Sequence, residues 1–298
     1  MAINKIQIKD FLMFTDFTCN FNRGVNVIIG SNGTGKTTLL RAAAIHPLLS
    51  YPYMNAGFHA FHKTSNLRRV GDVEVFPFAD GKYNKDKHIF IPVMEMLSHP
   101  EIYPMAQKYN MPYNNSEIDV LENAMQPETR ELTPNASKVL NIIKNTIGGE
   151  VVYENNTFFI VSGNIKTPFV LTASGFQKLG LLWKLLRNGL IESESVLFWD
   201  EPENSLNPEL MSMLVEILLE LQRGGVQIFL ATHSEILASY FDVLRKDSDN
   251  VMFYSLYKDE EKIKVDSNDR FDLLTPNTLT AEQVKLYEKE IEKGLGNE

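Results

Sequence analysis

The chain has 298 residues, of which 44% are hydrophobic, and a formal net charge of -9. This length and composition allow a large folded core and exclude a disordered polypeptide. The acidic balance excludes a protein whose whole surface binds nucleic-acid phosphates. The single cysteine, Cys19, excludes an internal disulfide framework and predicts a reducing, cytoplasmic location.

Two further features concern DNA and membranes. Short basic clusters offer a local patch for DNA, but such clusters are more often solvated loops. Their residues are Lys63, Arg68, Arg69, Lys82, Lys85 and Lys87. No apolar run reaches about 18 residues, so we predict no membrane span. The alternating, charged first residues indicate a strand and not a signal peptide.

The N-terminal part predicts two strands, a glycine-rich loop and a helix. Ile3, Ile6 and Ile8 mark the first strand, residues 25–29 form the second, and the helix begins at about Lys36. Nine of the 13 prolines fall in 47–134, which excludes a long coiled coil. We therefore predict one domain over 1–298, with a core from 1–46 and 150–298 and an insert over 47–149 that contains a helical, irregular lobe.

The C-terminal half predicts antiparallel strands over 150–172 and then a regular α/β alternation. Asn155 and Asn156 form the two-residue turn of a hairpin, and residues 169–172 form a further strand after a turn at Ser162, Gly163 and Asn164. Later elements are a helix over 175–188, a strand over 196–199, a helix opened by Pro208, a strand over 226–231, a helix over 235–244, a strand over 251–256 and an exposed terminal helix. The fold class is α/β, with a mixed central sheet flanked by helices, an antiparallel β-subdomain and a helical insert.

One motif identifies a phosphate site. The segment GSNGTGKTT matches GxxxxGK[ST] and lies between a hydrophobic strand and a helix. Glycines let backbone N–H groups converge on phosphate oxygens, Lys36 supplies a cation, and Thr37 places its hydroxyl on Mg²⁺. The predicted nucleotide-binding residues are Gly30, Ser31, Asn32, Gly33, Thr34, Gly35, Lys36, Thr37 and Thr38. This loop alone allows a kinase, a GTPase or several classes of ATPase.

Acidic residues and a histidine follow the later strands. Asp200 and Glu201 come directly after a buried strand, so Asp200 is the predicted metal-linked carboxylate and Glu201 the base that polarises water. The alternative is that the two acids cap the next helix. His233 follows the strand over 226–231 and, because parallel strands end at one edge, we expect it beside the carboxylates as a catalytic residue with Glu201 and Lys36.

A serine-glycine pair begins another helix. Ser174 and Gly175 lie 26 residues before Asp200 within ASGFQK. On their own they form an ordinary helix N-cap. A helix N-terminus also binds anions, and its position in the motif order suggests that it serves the γ-phosphate of a nucleotide held by a second copy of the chain.

The order of these motifs resembles the ABC ATPase superfamily, in the branch of chromosome-maintenance and repair ATPases (SMC- and RecF-like). The resemblance covers residues 30–234, and segments such as FIPVMEMLSHPE are similar to small stand-alone bacterial AAA-family ATPases. It implies that ATP and Mg²⁺ are the cofactors, that Ser174 and Gly175 contact the partner's nucleotide, and that Asn207 lies in a D-loop. His233 would be the switch histidine. The Q-loop position is left open among Glu95, Gln107 and Gln126.

The resemblance implies an ATPase that dimerises around two nucleotides. We favour a switch that controls a separately encoded effector, as in bacterial phage defence. A DNA repair or chromosome-maintenance ATPase is the alternative, although the charge does not indicate DNA binding. A transporter subunit is disfavoured because ASGFQ stands where transporters have LSGGQ.

Overall fold

The computed structural model describes residues 2–49, 72–77, 87–109, 115–129 and 131–295. Five of the basic residues named above, Lys63, Arg68, Arg69, Lys82 and Lys85, lie outside the described residues. Within the described parts of the chain, no helix is long and apolar enough to cross a membrane.

A six-stranded sheet forms the centre of the molecule, in the order β12-β11-β3-β10-β9-β5. Neighbouring strands from β11 to β5 are parallel, whereas β12 pairs antiparallel with β11. Its strands are β3 (Val25–Gly30), β5 (His88–Ile91), β9 (Val196–Asp200), β10 (Gln227–Ala231), β11 (Val251–Asp259) and β12 (Lys262–Asn268). The mixed central sheet predicted from the sequence is confirmed.

Two antiparallel sheets of three strands each accompany the central sheet in the described residues. The first has the order β2-β1-β4, with β1 (Ile3–Phe11), β2 (Phe14–Asn20) and β4 (Asp72–Pro77). The second has the order β6-β7-β8, with β6 (Glu150–Glu154), β7 (Thr157–Ser162) and β8 (Ile165–Pro168). The buried amide of Gln227 joins the first of these sheets to β10, since it accepts from the N–H of Ile3 at 2.6 Å and donates to its carbonyl at 2.8 Å.

The helices pack on both faces of the central sheet. They are α1 (Lys36–Leu49), α2 (Ile102–Tyr109), α3 (Asn115–Met125), α4 (Pro134–Ile147), α5 (Ser174–Arg187), α6 (Met211–Arg223), α7 (Glu235–Leu244) and α8 (Thr278–Gly294). Alternate strand residues face opposite sides: Leu197 and Trp199 belong to a core with α4 to α7, whereas Phe198 belongs to a core with α1, β1 and β2. The sheet is therefore the middle of three layers. The terminal helix, α8, has no buried residue, as predicted.

Several local predictions can be compared with the structure. Asn155 and Asn156 both have positive φ, as the predicted two-residue turn requires. The predicted strand over 169–172 is wrong, because Phe169–Leu171 form a 3-10 turn that buries Phe169. Pro208 also opens a 3-10 turn, Pro208–Leu210, before α6 begins. The segment 47–149 contributes β4 and β5 to two different sheets, in addition to helices.

Candidate active site

The predicted site residues follow the carboxyl ends of three adjacent parallel strands. The phosphate loop follows β3, the acidic pair lies at the end of β9, and His233 follows β10. Parallel strands place these ends at one edge of the sheet, which is where α/β proteins bind ligands. Strand order therefore brings residues that are about 200 positions apart in the chain into one site.

The phosphate loop has the backbone that its glycines predict. Gly30, Gly33 and Gly35 have φ of 148°, 77° and 89°. A Cβ on Gly30 would lie 2.3 Å from the carbonyl oxygen of Leu256, so only glycine fits there. Ser31, Asn32 and Gly33 are exposed, whereas Thr34 is buried and its hydroxyl donates to the carbonyl of Ser31 at 2.8 Å. The outer part of the loop is thus accessible and its inner part is held in place.

Lys36, the first residue of α1, is buried within the loop. Its Nζ donates to the carbonyls of Gly30 at 2.8 Å and Ser31 at 3.1 Å. Burial lowers the pKa of Lys36 to about 8, while the carboxylates of Glu201 and Asp200 oppose that shift. The amine remains largely protonated at neutral pH and supplies the cation that a phosphate group needs. Thr38, two residues later, is half-buried at the start of the same helix.

Thr37 and Asp200 contact each other across the site. The Thr37 hydroxyl donates to Oδ1 of Asp200 at 3.2 Å, although the two residues are 163 positions apart. Asp200 is 2% exposed, and burial raises the pKa of its carboxyl. A hydroxyl and a buried carboxylate are oxygen ligands of the type that Mg²⁺ accepts, together with phosphate oxygens and water. The donor set therefore fits a magnesium-nucleotide complex.

Glu201 and His233 lie beside this pair. The backbone N–H of Glu201 donates to the carbonyl of Ala231 at 2.9 Å, and Glu201 has a left-handed φ of 46°. Its Oε1 lies 3.9 Å from Nε2 of His233, and each side chain is about one third exposed. Burial and then the charge of Lys36 lower the pKa of His233, which favours the neutral imidazole at neutral pH. Both groups can therefore contact a water molecule at this edge.

Two charged residues at the site were not predicted as functional. Oε1 of Glu203 accepts from the Thr232 hydroxyl at 2.7 Å and from the N–H of His233 at 2.9 Å. Lys178 is 4% exposed, and its Nζ donates to the backbone carbonyl of Glu201 at 3.0 Å. The signals were a third acid in the segment DEPE and a lysine within ASGFQK, but neither spacing reveals these contacts.

The helix that begins with Ser174 differs from the sequence-based interpretation in one respect. Ser174 is not the N-cap, because Ala173 occupies that position and no side chain caps the helix. Ser174 is exposed at the surface, whereas Gly175 is buried. A Cβ on Gly175 would lie 2.9 Å from the carbonyl oxygen of Ser205, so this helix end packs closely on the loop that follows Glu201. The structure brings α5 to the acidic loop and leaves its first turn accessible.

The remaining candidates occupy different surroundings. Glu95 follows β5, and its carboxylate accepts from the N–H groups of Leu97 and Ser98. Gln107 lies on α2, and Gln126, which follows α3, is exposed and donates weakly to the Glu122 carbonyl at 3.5 Å. The charge of Glu95 opposes the lowering of the pKa of Lys178 by burial. Asn207 is exposed and caps the 3-10 turn through the N–H of Glu209.

Comparison with known proteins agrees with this arrangement: the chain is an ATP-hydrolysing P-loop enzyme, and its fold is similar to those of ABC-type ATPases and SMC heads. Residues 92–239 match the family model described as "AAA domain, putative AbiEii toxin, Type IV TA system". Residues 5–45, which include the phosphate loop, match a model described as "AAA domain".

Individual similar proteins are distant in sequence. The glutamine transport ATP-binding protein GlnQ of Geobacillus stearothermophilus is 22% identical over 230 residues, which are 75% of each chain. An SmcHead bound to the C-winged helix domain of ScpA has a TM-score of 0.54 at 12% identity, covering 90% of this chain and 98% of that one. The ATP-binding cassette MJ1267 of an ABC transporter has a TM-score of 0.53 at 16% identity, covering 94% and 98%. At these identities the two structures show a shared fold.

Proposed function

We propose that the protein is an ATP-driven switch in which two copies close around two nucleotides and thereby control a partner effector. The observation that carries this proposal is the first turn of α5. Ser174 is exposed and no side chain caps the helix. The N–H groups of Phe176 and Gln177 donate to the carbonyl of Ala173, and those of Ser174 and Gly175 are the ones that the helix end offers to an anion. In the closed pair this turn would contact the γ-phosphate of the nucleotide that the other copy binds.

Exposed apolar side chains beside the site support the closed pair. Met94 precedes Glu95, Leu171 lies three residues before Ser174, and Ile236 lies three residues after His233. They are 54%, 74% and 51% exposed, respectively. Each of these exposed apolar side chains lies within three residues of a proposed site residue, and an apolar surface next to a functional segment is typical of one that another molecule covers. A second copy would cover them together with the nucleotide.

The proposed reaction is phosphoryl transfer to water. Lys36 neutralises charge on the phosphates, Glu201 accepts a proton from the attacking water, and His233 orients that water or the γ-phosphate. Thr37 and Asp200 would hold Mg²⁺, which stabilises charge on the phosphate oxygens. Catalysis then depends on positioning and charge neutralisation, and loss of the γ-phosphate lets the pair open.

The test of the closed pair uses Glu201→Gln, which removes the base and preserves the shape of the side chain. We expect this variant to be a dimer with ATP and Mg²⁺ and a monomer with ADP, as measured by size-exclusion chromatography with light scattering. Adding Ser174→Arg should weaken the ATP-bound dimer about 30-fold or more, because it places a bulky cation at the centre of the interface. Ser162→Arg, at another exposed serine, is the matched control.

The double variant Glu201→Gln/Ser162→Arg should dimerise as Glu201→Gln does. Binding of a fluorescent ATP analogue to each variant separates loss of the nucleotide from loss of the interface. A Glu201→Gln protein that binds ATP and stays monomeric would contradict the closed pair. A Glu201→Gln protein that hydrolyses ATP at the rate of the wild type would contradict the role of Glu201 as the base.

The effector is the second part of the proposal. The matched family model is described as a putative toxin of a toxin-antitoxin system, which supports a role in bacterial conflict such as phage defence. We favour this role over transport, the activity named for GlnQ, because Ser174 and Gly175 are followed by Phe176 where transporters have glycine. A second protein should copurify with Glu201→Gln and not with its Ser174→Arg derivative.

DNA binding is the competing function, and retention of the purified protein on DNA tests it. Retention on DNA that falls steeply with salt would support a maintenance or repair ATPase instead. Retention that does not depend on ATP or on salt would support neither function.

A further inference from the structure

A buried lysine connects α5 to the loop that carries the proposed base. Lys178 lies four residues after Ser174, so the two residues share one face of the helix, one turn apart. Ser174 is exposed and Lys178 is 4% exposed. This face of α5 therefore runs from the surface, where the second copy would bind, into the interior, where Nζ of Lys178 donates to the carbonyl of Glu201.

The hydrogen bond from Lys178 acts on the backbone of Glu201 and not on its carboxylate. Glu201 has a left-handed backbone, which is unfavourable for a residue with a Cβ, so neighbouring contacts must hold it. Three hydrogen bonds do so: its N–H donates to the carbonyl of Ala231 at the end of β10, and its carbonyl accepts from the N–H of Asn204 at 3.1 Å and from Nζ of Lys178 at 3.0 Å. One contact comes from the sheet, one from the loop itself, and the one from Lys178 is the contact that ties the loop to α5.

Glu203 extends this connection to the switch histidine. Its Oε1 accepts two hydrogen bonds from the segment after β10, at Thr232 and His233. Its Oε2 is buried, and no hydrogen-bond donor reaches it among the described residues. A buried carboxylate oxygen without a donor is costly unless a cation is near. Lys178 is the buried cation of this loop: its Nζ donates to the carbonyl of Glu201, two residues before Glu203, and the charge of Glu203 opposes the lowering of the lysine pKa by burial.

We propose that Lys178 and Glu203 are positioning residues that together hold Glu201 and His233 against α5. The proposal rests on the proposed function, because it takes Glu201 as the base and Ser174 as the contact to the other copy. Lys178 fixes the backbone of the base, and Glu203 fixes the backbone of the switch histidine. Contact of Ser174 with the nucleotide bound by the second copy would then affect the positions of Glu201 and His233 in the subunit that carries this Ser174. Each active site would thereby respond to the nucleotide in the other.

The test is Lys178→Met, which keeps the unbranched apolar part of the side chain and removes the ammonium group. Lys184→Met is the matched control, because Lys184 is also buried on α5 but pairs with Glu128 at 3.1 Å, away from the site. We expect Lys178→Met to lower kcat by about 10- to 100-fold, the effect of a misplaced catalytic group. KM for ATP and the ATP-driven dimer of the Glu201→Gln background should stay within about 3-fold, since no nucleotide contact is lost.

Lys184→Met should leave kcat unchanged even where it lowers the melting temperature. A Lys178→Met enzyme with the normal kcat would overturn the proposal. Equal losses of kcat, ATP binding and dimer formation would also overturn it, because they would show that Lys178 only maintains the fold.

Glu203→Gln provides a second, independent variant, because an amide keeps the shape and one acceptor oxygen while it removes the charge. We expect a smaller loss of kcat, of about 3- to 10-fold, because one hydrogen-bonding oxygen remains. In the double variant with Lys178→Met, the loss should be no greater than that of Lys178→Met alone, since residues that act as one unit are not additive. Multiplied losses would show two separate roles and overturn the joint assignment.

These outcomes are distinguishable from failure of the proposed function. If Glu201→Gln hydrolyses ATP normally, the base has been misassigned and the proposed function fails first. If Glu201→Gln is inactive and dimeric while Lys178→Met is fully active, only the positioning role fails.

Discussion

The loop that carries the proposed base has an unfavourable backbone conformation, and we therefore predict that glycine is more stabilising than alanine at position 201. Glu201 has φ of 46°, and Ser205 in the same loop has φ of 66°. A left-handed conformation costs a residue with a Cβ about 1–2 kcal/mol relative to glycine. The perturbation is Glu201→Gly compared with Glu201→Ala, because both remove the carboxylate and only the first removes the Cβ.

The expected difference follows from two opposing effects. Relief of the left-handed strain favours glycine by about 1–2 kcal/mol, whereas the greater freedom of glycine in the unfolded chain disfavours it by about 0.5–1 kcal/mol. With the middle of each range, Glu201→Gly should therefore be about 0.75 kcal/mol more stable than Glu201→Ala. For a chain of this size, that difference raises the melting temperature by roughly 1–4 °C.

The assay is urea and thermal unfolding of both variants without nucleotide. The matched control is the pair Glu216→Gly and Glu216→Ala, at an exposed position inside α6, where glycine should be about 1 kcal/mol less stable than alanine. The reasoning is refuted if glycine is the less stable residue at both positions. Neither Glu201 variant should hydrolyse ATP, so the gain in stability carries no gain in activity.

Two further predictions concern the phosphate loop and pH. Gly35→Ala should destabilise the protein by about 1–3 kcal/mol more than Gly33→Ala, because its Cβ would lie 2.7 Å from the ring of Phe14 whereas Gly33 has nothing within 4 Å; equal losses of unfolding free energy in urea would contradict this packing. Burial lowers the pKa of His88 to about 4. Between about pH 6.5 and pH 4 the imidazole therefore binds a proton in the unfolded chain but not in the folded chain, and the free energy of unfolding falls as the pH falls. Between pH 7 and pH 5 the free energy of unfolding of the wild type should therefore fall by about 2 kcal/mol more than that of His88→Gln, from about 1.5 pKa units at 1.36 kcal/mol each. An equal fall in both proteins would contradict the effect of burial on His88.

The sequence predicts those parts of the fold in which local pattern and tertiary position agree. The phosphate loop and strands β3, β9 and β10 are examples, because each strand is mostly apolar, as a sheet covered on both faces requires. Strand β5 was not predicted, since it has only four residues and lies in the proline-rich segment. Strand β12 was not predicted because its alternating, mostly polar residues resemble a loop until β11 pairs with them.

In the candidate site, too, the residues that local spacing determines were predicted and those that depend on packing were not. Gly30, Lys36, Thr37, Asp200 and Glu201 could be proposed from the sequence because their spacing around a strand end constrains the chemistry. The contacts of Lys178 and Glu203 depend on how α5 and β10 pack against the loop after β9, and no local pattern encodes that packing. The N-cap assignment of Ser174 was wrong for a related reason, since preference alone does not fix which residue begins a helix.

The site also gathers features that oppose folding. Lys36, Lys178 and Asp200 are charged side chains that are each less than 7% exposed, and Glu201 has a strained backbone close to them. Such features persist only where surrounding packing determines them, and here two hydrophobic cores lie on either side of the sheet. Opposite charges reduce the cost of burial only while they stay close together. Because Nζ of Lys178 donates to the carbonyl of Glu201, a shift of α5 would move this buried positive charge relative to the carboxylates of the loop. The exposed end of α5, which we propose contacts a second copy, is therefore connected through Lys178 to the loop that carries the proposed base.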